Sequence, residues 1–184
     1  MQLKTLDTPL ASRTRPIKPT LIVLHATAGA TARSSIDHLR GVGLSYHYIV
    51  ARDGRDTAKS ANSDGSDPIV FHCVDGKRHA FHVGSTIPAP SGEGGIAKTS
   101  IGISLANIQS RAGESYPAKQ LAALDDLIAS LKPQFPTLKW LTTHAVVQPW
   151  NRADPTRIDG KALARKHGLI WWEPTAAQIR EHTP

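Results

Sequence analysis

The sequence predicts a single α/β domain with a central mixed β-sheet flanked by helices. Short apolar runs that are typical of buried strands alternate with amphipathic helical patterns along the chain. No internal repeat or linker divides the 184 residues, a length that is typical of one domain. We therefore assign residues 1–184 to one unit.

Each element follows from a local pattern. The unbroken apolar run at 21–24 predicts a strand that is buried on both faces. Leucine and isoleucine recur at helical spacing in 117–131, and Pro117 favours a helix start there. A segment rich in Pro, Gly and Ser at 87–98 is expected to lie outside the core. The predicted strands are 21–24, 46–51, 69–74, 77–83, 100–107 and 140–143, and the predicted helices are about 31–40, 117–131, 161–167 and 174–180.

Two Asp-Gly pairs, at 53–54 and 75–76, predict tight hairpins. A two-residue turn at the second pair would place His72 opposite His79 on adjacent strands. Because side chains alternate between the faces of a strand, His82 would then point to the opposite face.

Composition and charge limit the classes of partner. The net charge is +7 and the pI is about 9.8, which favours an anionic partner. The basic residues are scattered and form no nucleic-acid-binding motif, so we expect no nucleic acid partner. We also expect a monomer. We expect no membrane span, since no apolar run approaches the roughly 18 residues that a span needs. The first 20 residues lack the apolar core of a signal peptide, which predicts cytoplasmic synthesis.

Two histidines stand where predicted strands end. His25 follows the strand 21–24, and His144 follows the strand 140–143. If these strands are parallel neighbours, both imidazoles reach the same carboxyl edge of the sheet. Asp154 lies ten residues after His144 and supplies a third candidate ligand. Two histidines and one carboxylate form a typical catalytic zinc site with a fourth position open to water.

Five segments carry a family resemblance by their order and spacing. Together they resemble the zinc-dependent N-acetylmuramoyl-L-alanine amidases, a family that includes phage lysozyme-type amidases, cytosolic anhydro-muropeptide amidases and peptidoglycan recognition proteins. The resemblance covers about residues 20–160. The segments are Leu-His-Ala-Thr-Ala at 24–28, Ser-Tyr-His-Tyr-Ile-Val-Ala-Arg-Asp-Gly at 45–54, Phe-His-Val-Gly at 81–84, Ser-Ile-Gly-Ile-Ser-Leu at 100–105, and 144–155.

The resemblance implies an activity and a metal centre. It implies one zinc ion per chain, held by His25, His144 and Asp154 at the carboxyl edge of the strands. It also implies hydrolysis of the amide bond between N-acetylmuramic acid and L-alanine, with peptidoglycan or a muropeptide as the partner. A phage lysin, an autolysin and a recycling enzyme all fit, and the first two act on the cell wall.

The resemblance also implies further site residues. Tyr46 matches the tyrosine of the family's active site, and Arg152 stands where catalytic members often carry lysine. Thr27, His82 and Gly84 match positions that bind substrate.

One departure and two alternatives accompany the resemblance. Ser104 stands where the cytosolic branch has a glutamate, so the general base is left open. A non-catalytic peptidoglycan-binding module of the same fold is one alternative, although such proteins tend to lack one zinc ligand. A zinc peptidase that cuts within the stem peptide is the other, and ligand spacing does not exclude it.

Overall fold

A computed structural model describes residues 1–109 and 114–184 of the chain. Within these residues the fold is one domain with a seven-stranded sheet and a separate two-stranded sheet. None of the helices in this part of the chain has the length and apolar character needed to cross a membrane. The strands are β1 (Gln2–Thr5), β2 (Ser12–Pro16), β3 (Leu21–Ala26), β4 (Tyr48–Val50), β5 (Ile69–His72), β6 (Arg78–Ala80), β7 (Ser100–Leu105), β8 (Trp140–Thr143) and β9 (Ile170–Trp171). The helices are α1 (Ala32–Val42), α2 (Ala118–Gln134), α3 (His144–Val147), α4 (Gly160–Lys166) and α5 (Ala176–His182).

The seven-stranded sheet is mixed, as the sequence predicts. Its strand order is β1-β5-β4-β7-β3-β8-β9. The β4–β5 pair is antiparallel, while the other neighbours are parallel. The central strands β3 and β7 are buried along their whole length, which explains the unbroken apolar run at 21–24.

Helices cover both faces of the sheet. The face that carries Ile22 and Leu24 packs against the buried side of α2, and burying each such side chain contributes about 1.5–3 kcal/mol. On the opposite face, Ile36 and Leu39 of α1 pack near Ile49. The site residues lie on this second face.

The sequence of β7 separates large from small side chains. Ile101 and Ile103 join the core beneath α2. Ser100, Gly102 and Ser104 alternate with them and therefore occupy the second face, where Ser104 pairs in register with His25. These small residues leave room above the sheet for the side chains of the site.

Buried charges fix the start of α1 and the loops around it. The Asp56 carboxylate accepts hydrogen bonds from the backbone N–H groups of Ala32 and Arg33, where a helix N-terminus favours negative charge. The Arg52 side chain is fully buried and donates to the carbonyl of Thr57 and, at 2.6 Å, to Glu114. It also donates to the carbonyl of Ala30. These contacts hold the loop that follows β3.

Both hairpin predictions are wrong. Residues 51–68 separate β4 from its antiparallel partner β5, so the Asp-Gly pair at 53–54 lies within a long connection. The pair at 75–76 joins strands of different sheets, because β5 pairs with β1 and β4 while β6 pairs with β2. His72 instead stacks on Tyr48, and His79 pairs in register with Arg13.

The segment 87–98 also differs from the prediction. Ile87 and Ile96 are fully buried and pack against Leu21 and Val23 of β3. The segment is therefore part of the core, despite its Pro, Gly and Ser content. Its carbonyl at Ile96 accepts a hydrogen bond from the Ser100 hydroxyl at the start of β7.

Candidate metal centre and active-site cleft

The sheet brings His25 and His144 together. The parallel strands β3 and β8 pair Leu24 with Thr143, so the next residues along the two segments, His25 in β3 and His144 at the start of α3, follow directly after a paired position. Their ring centroids lie 4.5 Å apart. Both side chains are buried.

Asp154 completes the set of three. Its Oδ1 lies 3.2 Å from Nδ1 of His144, and its Oδ2 lies 3.8 Å from Nδ1 of His25. The backbone N–H of Ala26 donates to Oδ2 at 3.1 Å and holds the carboxylate against the end of β3. One ligand atom from each of the three residues lies within 4.8 Å of the others.

These residues fit a zinc ion. Nδ1 of His25 is a buried atom without a hydrogen-bond partner among the described residues. Burial first, and then the neighbouring histidines His144 and His82, hold the pKa of His25 well below its ordinary value. The imidazole is therefore neutral near pH 7 and has a lone pair to offer a metal. Two imidazoles and a carboxylate are a donor set typical of catalytic zinc.

A chain of hydrogen bonds lies behind His25. Nε2 of His25 lies 3.0 Å from Nδ1 of His82, and Nε2 of His82 lies 3.2 Å from Oγ of Ser100. The Ser100 hydroxyl donates to the carbonyl of Ile96 at 2.7 Å. Gly102 makes this arrangement possible, because a Cβ at that position would lie 2.6 Å from Cγ of His82.

Tyr46 lies beside the three candidate ligands. Its ring centroid is 4.9 Å from that of His25. Burial first, and then the negative charge of Asp154, raise the pKa of Tyr46 to about 12. The phenol therefore keeps its proton at neutral pH and remains a hydrogen-bond donor.

Arg152 lies at the mouth of the cleft. The cleft has a volume of about 200 Å³, and Tyr46, Arg152 and Asp154 all line it. Arg152 is exposed, and its Nη1 donates to the backbone carbonyl of Asn151. Its positive charge also contributes to the lowered pKa of His25. A permanent cation thus stands near the candidate ligands.

The three positions matched to substrate binding differ in their surroundings. Thr27 lines the cleft, and its Oγ1 accepts from the backbone N–H of Gly29 and of Asn107. His82 also lines the cleft, but both of its ring nitrogens are engaged by the protein. Gly84 is not among the cleft-lining residues that the structure describes, and its N–H donates to Gln148. Substrate contact by all three stays a prediction.

Residues outside the predicted set of site residues also support the cleft. Nδ1 of His47 accepts from the N–H of Gly102, and its Nε2 lies 2.9 Å from the carbonyl of Arg78. His47 is therefore structural, as its position in the strand pattern suggests. The sequence holds one signal for the arrangement at Ser100 and Gly102, because a glycine inside a strand indicates a close approach by another group.

Comparison with known proteins identifies a family. The profile of the N-acetylmuramoyl-L-alanine amidase family matches residues 14–157. The chain belongs to this family. No curated protein matched the sequence of this amidase-family chain.

Solved structures share the fold. AmpDh3 from Pseudomonas aeruginosa, in complex with an anhydromuramic pentapeptide, is 22% identical with a TM-score of 0.66; the match covers 95% of this chain and 69% of that one. AmiD from E. coli, in complex with anhydro-N-acetylmuramic acid-L-Ala-D-γ-Glu-L-Lys, is 24% identical with a TM-score of 0.64 and coverage of 96% and 67%. The Ph2119 endolysin from a Thermus scotoductus bacteriophage is 22% identical with a TM-score of 0.58 and coverage of 92% and 100%.

The close approach at Gly102 gives a testable prediction about the packing of the site. Replacement Gly102→Ala forces a Cβ into the His82 ring, and overpacking of this kind typically costs about 1–3 kcal/mol. Gly41→Ala is the matched control, since a Cβ there meets no atom within 4 Å and alanine favours helix by up to about 1 kcal/mol. Urea unfolding of the metal-free variants should show opposite changes in the free energy of unfolding. Equal stability of Gly102→Ala and the native chain would contradict the packing of His82 on β7.

Proposed function

We propose that the protein hydrolyses the amide bond between N-acetylmuramic acid and L-alanine in peptidoglycan, with one zinc ion held by His25, His144 and Asp154. The observation that carries the proposal is the convergence of these three side chains in a chain of the amidase family. The donor types and the orphaned nitrogen of His25 support zinc as the metal. Zinc bound there would lower the pKa of a water molecule to about 7 and polarise the scissile carbonyl.

The chain's own residues orient and stabilise the reacting groups. The Ala26 amide holds Asp154 in place, and burial keeps His25 neutral. Tyr46 keeps its proton at neutral pH and would donate a hydrogen bond to the carbonyl or the attacking water. Amide hydrolysis develops negative charge on the carbonyl oxygen, and Arg152 supplies fixed positive charge for it.

Among the described residues, the cleft offers no second carboxylate as a general base. Asp154 is the one acidic side chain among the described residues that line it. Ser104 lies fully buried beside His25, and a hydroxyl cannot replace a carboxylate base at neutral pH. Catalysis would therefore depend strongly on charge stabilisation by Arg152 and on hydrogen bonding by Tyr46.

The surroundings of the cleft suit an anionic polymer. Phe81 lines the cleft and lies against Arg13, whose guanidinium carbon is 5.8 Å from the ring centroid. Arg13 in turn lines a groove of about 960 Å³ between the two-stranded sheet and the segment 93–99. Four basic side chains and one acidic side chain line this groove, which favours the carboxylates and phosphates of a cell wall. These are Arg13, Arg15, Lys18, Lys98 and Glu93.

The two alternatives make different predictions about products. A non-catalytic binding module would bind peptidoglycan without releasing fragments, and the presence of all three candidate ligands argues against it. A stem-peptide peptidase would leave L-alanine attached to muramic acid. The proposed amidase instead releases peptides with a free L-alanine amino terminus.

Digestion of purified sacculi and of a soluble anhydromuropeptide tests the proposal. Mass spectrometry should find the new L-alanine amino terminus, and a chelator should abolish its formation. His144→Ala should lose both bound zinc and activity, whereas His38→Ala, which changes an exposed histidine, should keep both. Stoichiometric zinc in His144→Ala, or fragments cut within the stem peptide, would contradict the proposal.

Arg152 gives a second prediction for the same reaction. Loss of one group that stabilises an oxyanion typically lowers turnover by about 100- to 1000-fold, so Arg152→Ala should do so with zinc still bound. Arg152→Lys should keep part of the activity, because lysine retains the charge but not the planar fork. Arg165→Ala, an exposed position in α4, is the control, and Ser104→Ala should change turnover little. Near-native turnover of Arg152→Ala together with severe loss in Ser104→Ala would contradict this role.

A further inference from the structure

We propose that His82 and Ser100 are positioning residues that fix the tautomer of His25, so that its Nδ1 lone pair faces Asp154 and His144. The proposal rests on the zinc centre of the proposed function, but it concerns hydrogen positions within the protein itself. It gives His82 a role apart from substrate binding. It also involves no change of charge, because a tautomer exchange moves a proton between two nitrogens of one neutral ring.

The number of ring protons is set by burial. Both rings are buried, and neither has a carboxylate within hydrogen-bond distance among the described residues, so a positive charge on either ring would lack a hydrogen-bonded partner and would be costly. Both rings are therefore neutral near pH 7, and each carries one N–H and one lone pair. Fixing the direction of one hydrogen bond in the chain then fixes all the others.

Ser100 sets that direction. Its hydroxyl has one proton, and Oγ lies 2.7 Å from the carbonyl oxygen of Ile96 but 3.2 Å from Nε2 of His82. The shorter contact is a normal O–H···O hydrogen bond, so the proton points to the carbonyl of Ile96. Oγ then accepts from His82, which places the ring proton of His82 on Nε2.

The direction passes from His82 to His25. With its proton on Nε2, His82 presents a lone pair at Nδ1 to Nε2 of His25, 3.0 Å away. His25 must therefore carry its proton on Nε2 and donate. Its Nδ1 is left with the lone pair, on the side where Asp154 lies.

The reverse direction fails at both ends of the chain. It would turn the Ser100 hydroxyl away from Ile96 and lose the shortest contact of the network. It would also put a proton on Nδ1 of His25, a buried atom without a hydrogen-bond partner among the described residues. A buried N–H without an acceptor typically costs about 1–3 kcal/mol. The nearest carboxylate oxygen, on Asp154, is 3.8 Å away, beyond hydrogen-bond distance.

The use of a neutral acceptor has an electrostatic consequence. Histidines that bind metals often donate their second N–H to a carboxylate, which adds negative charge near the ion. His82 fixes the tautomer without adding charge. A divalent ion held by two uncharged histidine ligands and the Asp154 carboxylate would then keep a net charge of +1.

Nuclear magnetic resonance of the metal-free native protein tests the hydrogen positions directly. Long-range ¹H–¹⁵N spectra distinguish the two neutral histidine tautomers by their ring nitrogen shifts. We expect the proton on Nε2 in both His25 and His82. A proton on Nδ1 of either ring would overturn the proposal whether or not the protein cleaves peptidoglycan.

Zinc affinity of variants tests the consequence, and competition with a chelator measures it without any assay of activity. His82→Leu removes the acceptor for His25, and loss of such a partner typically weakens metal binding by about 10- to 100-fold. His82→Gln should retain most of the affinity, since its amide presents one acceptor and one donor in place of the two nitrogens. Ser100→Ala should weaken binding, while Thr142→Val, which removes a buried hydroxyl without a partner among the described residues, should not. Native affinity in a folded His82→Leu, or equal losses in His82→Leu and His82→Gln, would overturn the proposal.

Discussion

The parallel pairing of β3 with β8 is the constraint on which the site depends. Its register places Leu24 beside Thr143, so that His25 and His144 reach the same edge of the sheet. A slip of one residue in either strand would turn its histidine to the opposite face and separate the pair. Asp154 then needs little further support, because the N–H of Ala26 at the end of β3 holds its carboxylate.

Space above the sheet is the second requirement. The small residues of β7 allow His82 to lie directly on the strand, and Gly102 is the point of closest approach. The core beneath α2 uses the large residues of the same strand. One face of β7 thus packs in the core beneath α2, while the other face lies against the His82 ring. Fully buried Arg52 donates both to Ala30 in the loop after β3 and to Glu114, and so connects that loop to Glu114.

Local patterns predicted the central strands and the three candidate ligands, because those features depend on short runs and fixed spacings. Pairing partners were harder to predict, since neither Asp-Gly pair makes a tight hairpin. β4 pairs with β5 across the long connection 51–68, and β6 pairs with the distant strand β2. The predicted orientation of His82 was derived from a hairpin at 75–76 that does not form. Its real neighbours, His25 and Ser100, are 57 and 18 residues away in sequence. Hydrophobic periodicity does not reveal contacts between residues so far apart in sequence, although Gly102 inside a predicted strand indicated a close approach by another group.

The structure of the zinc-loaded protein tests the central claim most directly. Crystals grown with zinc should show anomalous scattering at the zinc edge from one ion, bound by Nδ1 of His25, by His144 and by Asp154. His72 and His79 provide an internal comparison, because they lie in different sheets and should bind none. Full zinc occupancy elsewhere, or bonding through Nε2 of His25, would contradict the proposed metal centre and the tautomer on which it depends.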